Sequence, residues 1–242
     1  MFILREYPKE KNDVPQQIHA SVTLVIIVAA PALSGCATNK TVAANTEPNG
    51  AGKIPITTSS EEARKEFLQG RDLNEKLLIH DSIQHFDKAI SLDANFAWAE
   101  LSRAAVSPTG KEFFDHLKKA VNLADKASNG EKLLILGTEA GANGNVARQK
   151  EYLDQLVAAY PNDERANFAL AGYYFGQQEL PKAIQYYKKA TELNPKFSSA
   201  FNLLGYAYRQ NVEYANAEAA FKNTSNSFPT IQTLMTRTLS CF

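Results

Sequence analysis

The chain repeats itself at an interval of 34 residues, and a period of that length leaves few folds open. Leu170, Ala171, Tyr174, Leu180, Ala183, Tyr187 and Pro195 recur as Leu204, Gly205, Tyr208, Tyr214, Ala217, Phe221 and Pro229. Self-similarity on this scale marks stacked supersecondary units, each unable to bury its apolar face alone. Within a unit the spacing is helical: Leu204 and Tyr208 lie four apart on one face, as do Ala217 and Phe221 on the next. Small residues (Ala171 or Gly205, Ala183 or Ala217) let two antiparallel helices approach, and the aromatics fill the space between neighbouring hairpins. Pro195 and Pro229 close their units, since proline cannot continue a helix interior. The helical part opens at Ser60, a serine N-cap followed by Glu61 and Glu62 in the first turn. No stretch beyond it alternates with period two, so the expected class is all-α.

Three weaker copies precede the last two. Residues 63–96 carry Gly70, Leu73, Phe86 and Ala89 at matching offsets. Residues 97–129 are degenerate, with Pro108-Thr109-Gly110 as a shortened turn, and 130–163 are intermediate, with Pro161 one period before Pro195. Phe201-x2-Leu204-Gly205-x2-Tyr208, then Ala217-x3-Phe221 and Pro229, resembles the tetratricopeptide repeat (TPR) signature with Phe in place of Trp. That resemblance implies a right-handed superhelical solenoid of about five antiparallel helix pairs over residues 61–222.

The start of the chain reads as a targeting signal. Residues 22–33 (VTLVIIVAAPAL) form an uncharged apolar run, too short to span a membrane but of signal-peptide length. It meets Leu33-Ser34-Gly35-Cys36, which resembles the lipobox of bacterial lipoproteins. The resemblance implies a signal peptide over 1–35, lipidation of Cys36, and a mature protein tethered to a membrane of the bacterial cell envelope. Residues 36–60, rich in Thr, Asn, Gly, Pro and Ser without apolar periodicity, are expected to be a flexible tether. Such a coil reaches roughly 25–30 Å.

The residues carry little chemistry. With 26 basic and 26 acidic residues the formal net charge is zero, which argues against a nucleic-acid partner. Two cysteines, Cys36 and Cys241, exclude a disulfide scaffold and a multi-cysteine zinc site. None of His19, His80, His85 and His116 pairs at the i, i+4 spacing of a helical metal site, and His85 reads as a solvated helix residue. No phosphate-binding glycine loop and no nucleophile elbow is present. The expectation is a chain that is not an enzyme, with no cofactor, no metal and no evident small-molecule substrate.

In the TPR family, function lives in the groove lined by the first helix of each repeat. The resemblance places Phe67, Arg71, Trp98 and Leu101 on that groove in the first two repeats, and Phe168, Phe175, Asn202, Tyr206 and Arg209 in the last two. For Phe67 and Phe168, packing between repeats is an equal alternative. Aromatics and arginines on an apolar floor suit a peptide or a helix. Phe168 stands where some members carry a carboxylate-clamping lysine, so that use is not expected here. The function implied is a membrane-anchored interaction or assembly scaffold. The alternative is an accessory or regulatory domain of an enzyme or signalling system whose catalytic part lies in another chain.

The repeat pattern breaks at Asn223. Asn223-Thr224-Ser225-Asn226-Ser227 are poor helix formers with no core face. A consistent choice among the codons these residues permit, read one base earlier, yields a peptide that finishes the repeat and opens another helix. Residues 223–242 are therefore expected to be a frameshifted or disordered tail, without a role for Cys241.

Overall fold

The computed structural model describes residues 52–225, all within one unit, Ala43–Phe242. The helices are α1 (Glu61–Glu75), α2 (Ile79–Leu92), α3 (Ala97–Ala105), α4 (Gly110–Leu123), α5 (Asn129–Ala142), α6 (Val146–Ala159), α7 (Glu164–Gly176), α8 (Leu180–Leu193), α9 (Ser198–Gln210) and α10 (Tyr214–Ser225). A 3-10 turn, Ala124–Lys126, joins α4 to α5. Each odd helix pairs with the even helix after it, giving five hairpins, and every regular element among the described residues is helical. The sequence expectation for the class and for the pair stacking is met.

The period is written into the backbone as well as the side chains. Four of the hairpins turn on a residue in the left-handed region: Leu77 (φ 66°), Gly144 (φ 72°), Gln178 (φ 60°) and Val212 (φ 64°), the last three spaced one period apart. The amide three residues past each helix end closes the turn on the helix. Leu78 donates to the Leu73 carbonyl at 2.9 Å, Asn145 to Ala140 at 2.8 Å, Glu179 to Tyr174 at 2.9 Å and Glu213 to Tyr208 at 2.9 Å. This is the Schellman arrangement, and glycine suits it because it lacks a Cβ. Val212 is the most strained occupant: it is β-branched, and at 68% exposure it gains little contact in return. Val212→Gly is expected to stabilise the protein by about 1 kcal/mol, the relief exceeding glycine's extra chain entropy. Thermal unfolding should shift up by about 2–4 °C; a lower midpoint would contradict the turn geometry.

Within the pairs, a small residue on the first helix receives a large one from the second. A Cβ on Gly70, Gly137 or Gly205 would stand 3.0 Å from the Phe86 ring, 3.3 Å from Leu153 and 2.5 Å from the Phe221 ring, respectively. Ala104 and Ala171 hold the same register and are buried. The second pair is thin, because α3 has only 9 residues and Ala120 stands where the others carry a large side chain.

The odd helices form the inner row, meeting across repeats where α3 touches α5 and α1 touches α9. The stack curls far enough for the end of α1 to reach the starts of α7 and α9. The Ser199 hydroxyl donates to the Asn74 and Glu75 carbonyls at 3.2 and 3.1 Å, and Arg165 grips Glu75 at 2.6 Å. Helix α10 ends at Ser225, so Asn223, Thr224 and Ser225 continue the helix past the boundary expected at 222. The rest of the expected tail, 226–242, lies outside the described residues.

Candidate functional site: the inner row and the segment that crosses it

Residues 53–60 run extended, alternating in exposure: Ile54 is buried, Ile56 and Thr58 are half-buried, and Pro55, Thr57 and Ser59 face out. Period two is what an extended chain lying on a surface requires. This strap crosses the helix starts of three successive repeats, and at each one a carboxylate takes its backbone. The Ile54 amide donates to Asp163 Oδ2 at 3.0 Å, the Thr57 amide to Glu131 Oε1 at 2.9 Å and the Ser59 amide to Asp93 Oδ2 at 2.9 Å. From Ile54 to Ser59, five residues of extended chain advance about 17 Å, which matches two helix spacings of about 8–10 Å.

Each carboxylate divides its two oxygens between its own helix and the strap. Asp163 caps α7 with Oδ1, accepting from the amides of Arg165 (2.8 Å) and Ala166 (3.0 Å), and gives Oδ2 to Ile54. Glu131 closes a capping box through Oε2 on the Ser128 amide (2.8 Å) and gives Oε1 to Thr57. Asp93 accepts the Asn95 amide on Oδ1 at 2.9 Å, and its Oδ2 also takes the Thr58 hydroxyl at 2.6 Å. Burial pushes the Asp93 carboxyl up, but the hydrogen bonds from Thr58, Ser59 and Asn95 outweigh it and hold it below the usual carboxylate range. Further contacts complete the strap: Ser128 Oγ donates to the Pro55 carbonyl at 3.1 Å, Arg64 to the Ile56 carbonyl at 2.9 Å, and Lys53 pairs with Glu164. Gly130 is needed where it stands, since a Cβ there would meet Ile54 Cγ2 at 2.8 Å and Tyr160 Cε2 at 2.7 Å.

Behind the strap lies a charge network. Arg165 bridges Glu75 (2.6 Å) and Glu164 (2.7 Å), and Arg71 stands 3.8 Å from Glu75 while its guanidinium covers the rings of Phe67 (5.5 Å) and Trp98 (5.7 Å). Burial, aided by repulsion from Arg165, lowers Arg71 to about 10, which leaves it charged at neutral pH. Desolvation offsets much of the attraction in a buried ion network of this kind, so it adds little net stability.

Residues 136–196, from the middle of α5 to just past α8, match the family model described as tetratricopeptide repeat. Over that stretch the chain is similar to the tetratricopeptide repeat. Among solved structures it is similar to YrrB, described as a TPR protein with an unusual peptide-binding site, at 22% identity over 69% of this chain and 87% of that one, TM-score 0.40. It is also similar to PilW, a widely conserved type IV pilus biogenesis factor (17%, 70% and 79%, TM-score 0.42). MamA from Desulfovibrio magneticus RS-1 is a third such structure (16%, 70% and 97%, TM-score 0.42). No curated protein matches the chain.

The TPR groove residues expected from the sequence divide into three groups. Phe67, Trp98 and Leu101 are buried and offer no surface to a partner: Phe67, 0% exposed, packs against Phe86, Phe96 (4.8 Å) and Trp98 (5.5 Å). The correction has a physical cause. For Phe67 the outcome is the packing between repeats: its ring partners stand on α2, the turn before α3 and α3 itself, and Trp98 is buried against it. Arg71 is drawn into the charge network, and Phe168 and Phe175 are half-buried against Tyr187 (5.7 and 6.5 Å). Only the last repeat presents its set outward. Asn202 is half-buried, Tyr206 is 38% exposed with its ring edge on Phe221 at 5.2 Å, and Arg209 lies over the Tyr206 ring at 5.1 Å.

The flexible tether expected over 36–60 is likewise corrected for 53–60, which are held by the three carboxylates above. Residues 36–51, including the lipidation candidate Cys36, lie outside the described residues. The strap was missed because only Ile54, Ile56 and Thr58 signal it, an alternation too short to stand out. His85 is not a free solvated residue: its Nδ1 lies 2.8 Å from Glu66, and His116 repeats the pairing with Glu100 at 2.5 Å one repeat on. Among the described residues, no cluster of His, Cys, Asp and Glu forms a metal site, and no helix is long and apolar enough to cross a membrane.

Proposed function

We propose that the chain is a non-enzymatic protein-binding scaffold that holds a peptide or helix of its partner on the inner face of α9. We further propose that it is lipid-anchored through Cys36 at the cell envelope. One observation carries the first part. The expected groove positions of the first, second and fourth repeats are buried, half-buried or held in the charge network, whereas Tyr206 and Arg209 remain exposed and mutually braced. Tyrosine and arginine are among the residue types enriched at interface hot spots. The lipobox-like Leu33-Ser34-Gly35-Cys36 supports the second part.

The test is capture of partners from solubilised membranes, with identification by mass spectrometry. Tyr206→Ala with Arg209→Ala is expected to lower the yield of a specifically captured partner at least tenfold while leaving helical circular dichroism unchanged. Loss of helix in parallel would show these residues to be structural and would end the site assignment. Cys36→Ser is expected to move the protein from the membrane to the soluble fraction. A wild-type chain that never labels with fatty acid would refute the anchor.

A further inference from the structure

We propose that the row of helix starts at α3, α5 and α7 is a second peptide site, and that the strap is its resident ligand, exchangeable for an extended segment of a partner. The partner chemistry follows from the present occupant: a basic residue followed by a branched aliphatic side chain and a proline, with free backbone amides at the aliphatic position and at three and five residues beyond it. The inference rests on reading this chain as a protein-binding scaffold.

Three features separate the strap from an ordinary piece of the core. First, recognition is of the backbone: Asp163, Glu131 and Asp93 each accept a strap amide on the oxygen that their own helix leaves over. Asp163 and Glu131 are 1% and 0% exposed, so both are fixed acceptors that need a donor from outside their own turn. Secondly, the apolar and charged side-chain contacts lie at one end. Ile54 enters the space bounded by Gly130 and Tyr160, and Lys53 meets Glu164, while at the other end only small hydroxyls make contact: Thr57 Oγ1 accepts from the Ser128 amide, and Thr58 and Ser59 donate to Asp93. Thirdly, the strap forms no helix and no strand ladder of its own, so its release breaks side-chain contacts without unwinding a helix. An extended peptide held by main-chain hydrogen bonds with a side-chain pocket at one position is a known way of binding a partner segment.

The test uses the full-length chain and a fluorescein-labelled, end-capped peptide, Gly-Lys-Ile-Pro-Ile-Thr-Thr-Ser-Ser, read by anisotropy. Two variants open the resident strap by different means: Ile54→Asp removes the anchor, and Thr57→Pro removes the amide that Glu131 takes. Both are expected to bind the peptide at least tenfold more tightly than wild type. Adding Glu131→Gln to either is expected to abolish the gain, and a peptide with Asp in place of its first Ile should not bind. Equal binding by wild type and opened variants would overturn the proposal, as would loss of helix content in both variants, which would make the strap a structural part. Self-association of the opened variants without peptide binding would also overturn it, assigning the site to a second copy of this chain. The outcome is independent of the α9 face: peptide exchange can succeed where Tyr206→Ala with Arg209→Ala has no effect on capture, and the reverse.

Discussion

Phe67→Ala is expected to destabilise the protein by about 3–5 kcal/mol, the usual loss for a fully buried phenylalanine replaced by alanine. Phe67 is 0% exposed and meets the rings of Phe86, Phe96 and Trp98, while the Arg71 guanidinium lies 5.5 Å above it. Four elements therefore lose a common neighbour: α1, α2, the turn before α3, and α3 itself. The cost approaches a third to a half of the stability of a typical domain. Urea unfolding followed by circular dichroism should show the midpoint fall with little change in slope. A loss under 1 kcal/mol would mean that Phe67 faces an open groove, as a TPR register alone suggests, and does not pack between the first two repeats.

Asp163→Ala is expected to cost about 2–4 kcal/mol. About 1 kcal/mol is the lost N-cap of α7, and the rest is the buried Ile54 amide left without an acceptor. Asp163→Asn separates the two. Its remaining oxygen can still cap α7, but its amide group then faces the Ile54 amide, donor against donor. That variant should keep most of the stability of α7 and lose the strap. If Asp163→Ala and Asp163→Asn were indistinguishable in urea midpoint and both within 0.5 kcal/mol of wild type, about the scatter of neutral surface changes, the carboxylate would not be holding the strap.

The stack of helix pairs was legible from the sequence because a 34-residue period constrains many positions at once. Gly205 against Phe221 and the copies before it leave little freedom in how the two helices of a pair meet. The inner face was read less well. Register alone cannot tell a groove position from a buried one: Phe67 is covered by the next repeat, and the end of α1 is held by contacts 90 or more residues away, Arg165 to Glu75 and Ser199 to Glu75. The thin second pair, with Ala120 in place of an aromatic, accompanies this closer curl. The strap was least legible. Asp163, Glu131 and Asp93 look like ordinary caps and turn residues in sequence, and each is one; nothing in a cap motif shows that its second oxygen serves a segment up to 109 residues away. The composition of 36–60 spoke for a tether, and two isoleucines were too few to contradict it.

Amide hydrogen exchange on the intact chain tests most directly whether the strap sits on the helix starts. With the amides of Ile54, Thr57 and Ser59 bonded to buried or half-buried carboxylates, each should exchange at least about a hundredfold more slowly than in a free peptide. Asp163→Asn should release Ile54 first. Exchange of Ile54 and Thr57 at the free-peptide rate, in a chain whose helical amides remain protected, would contradict the docked strap and with it the second site.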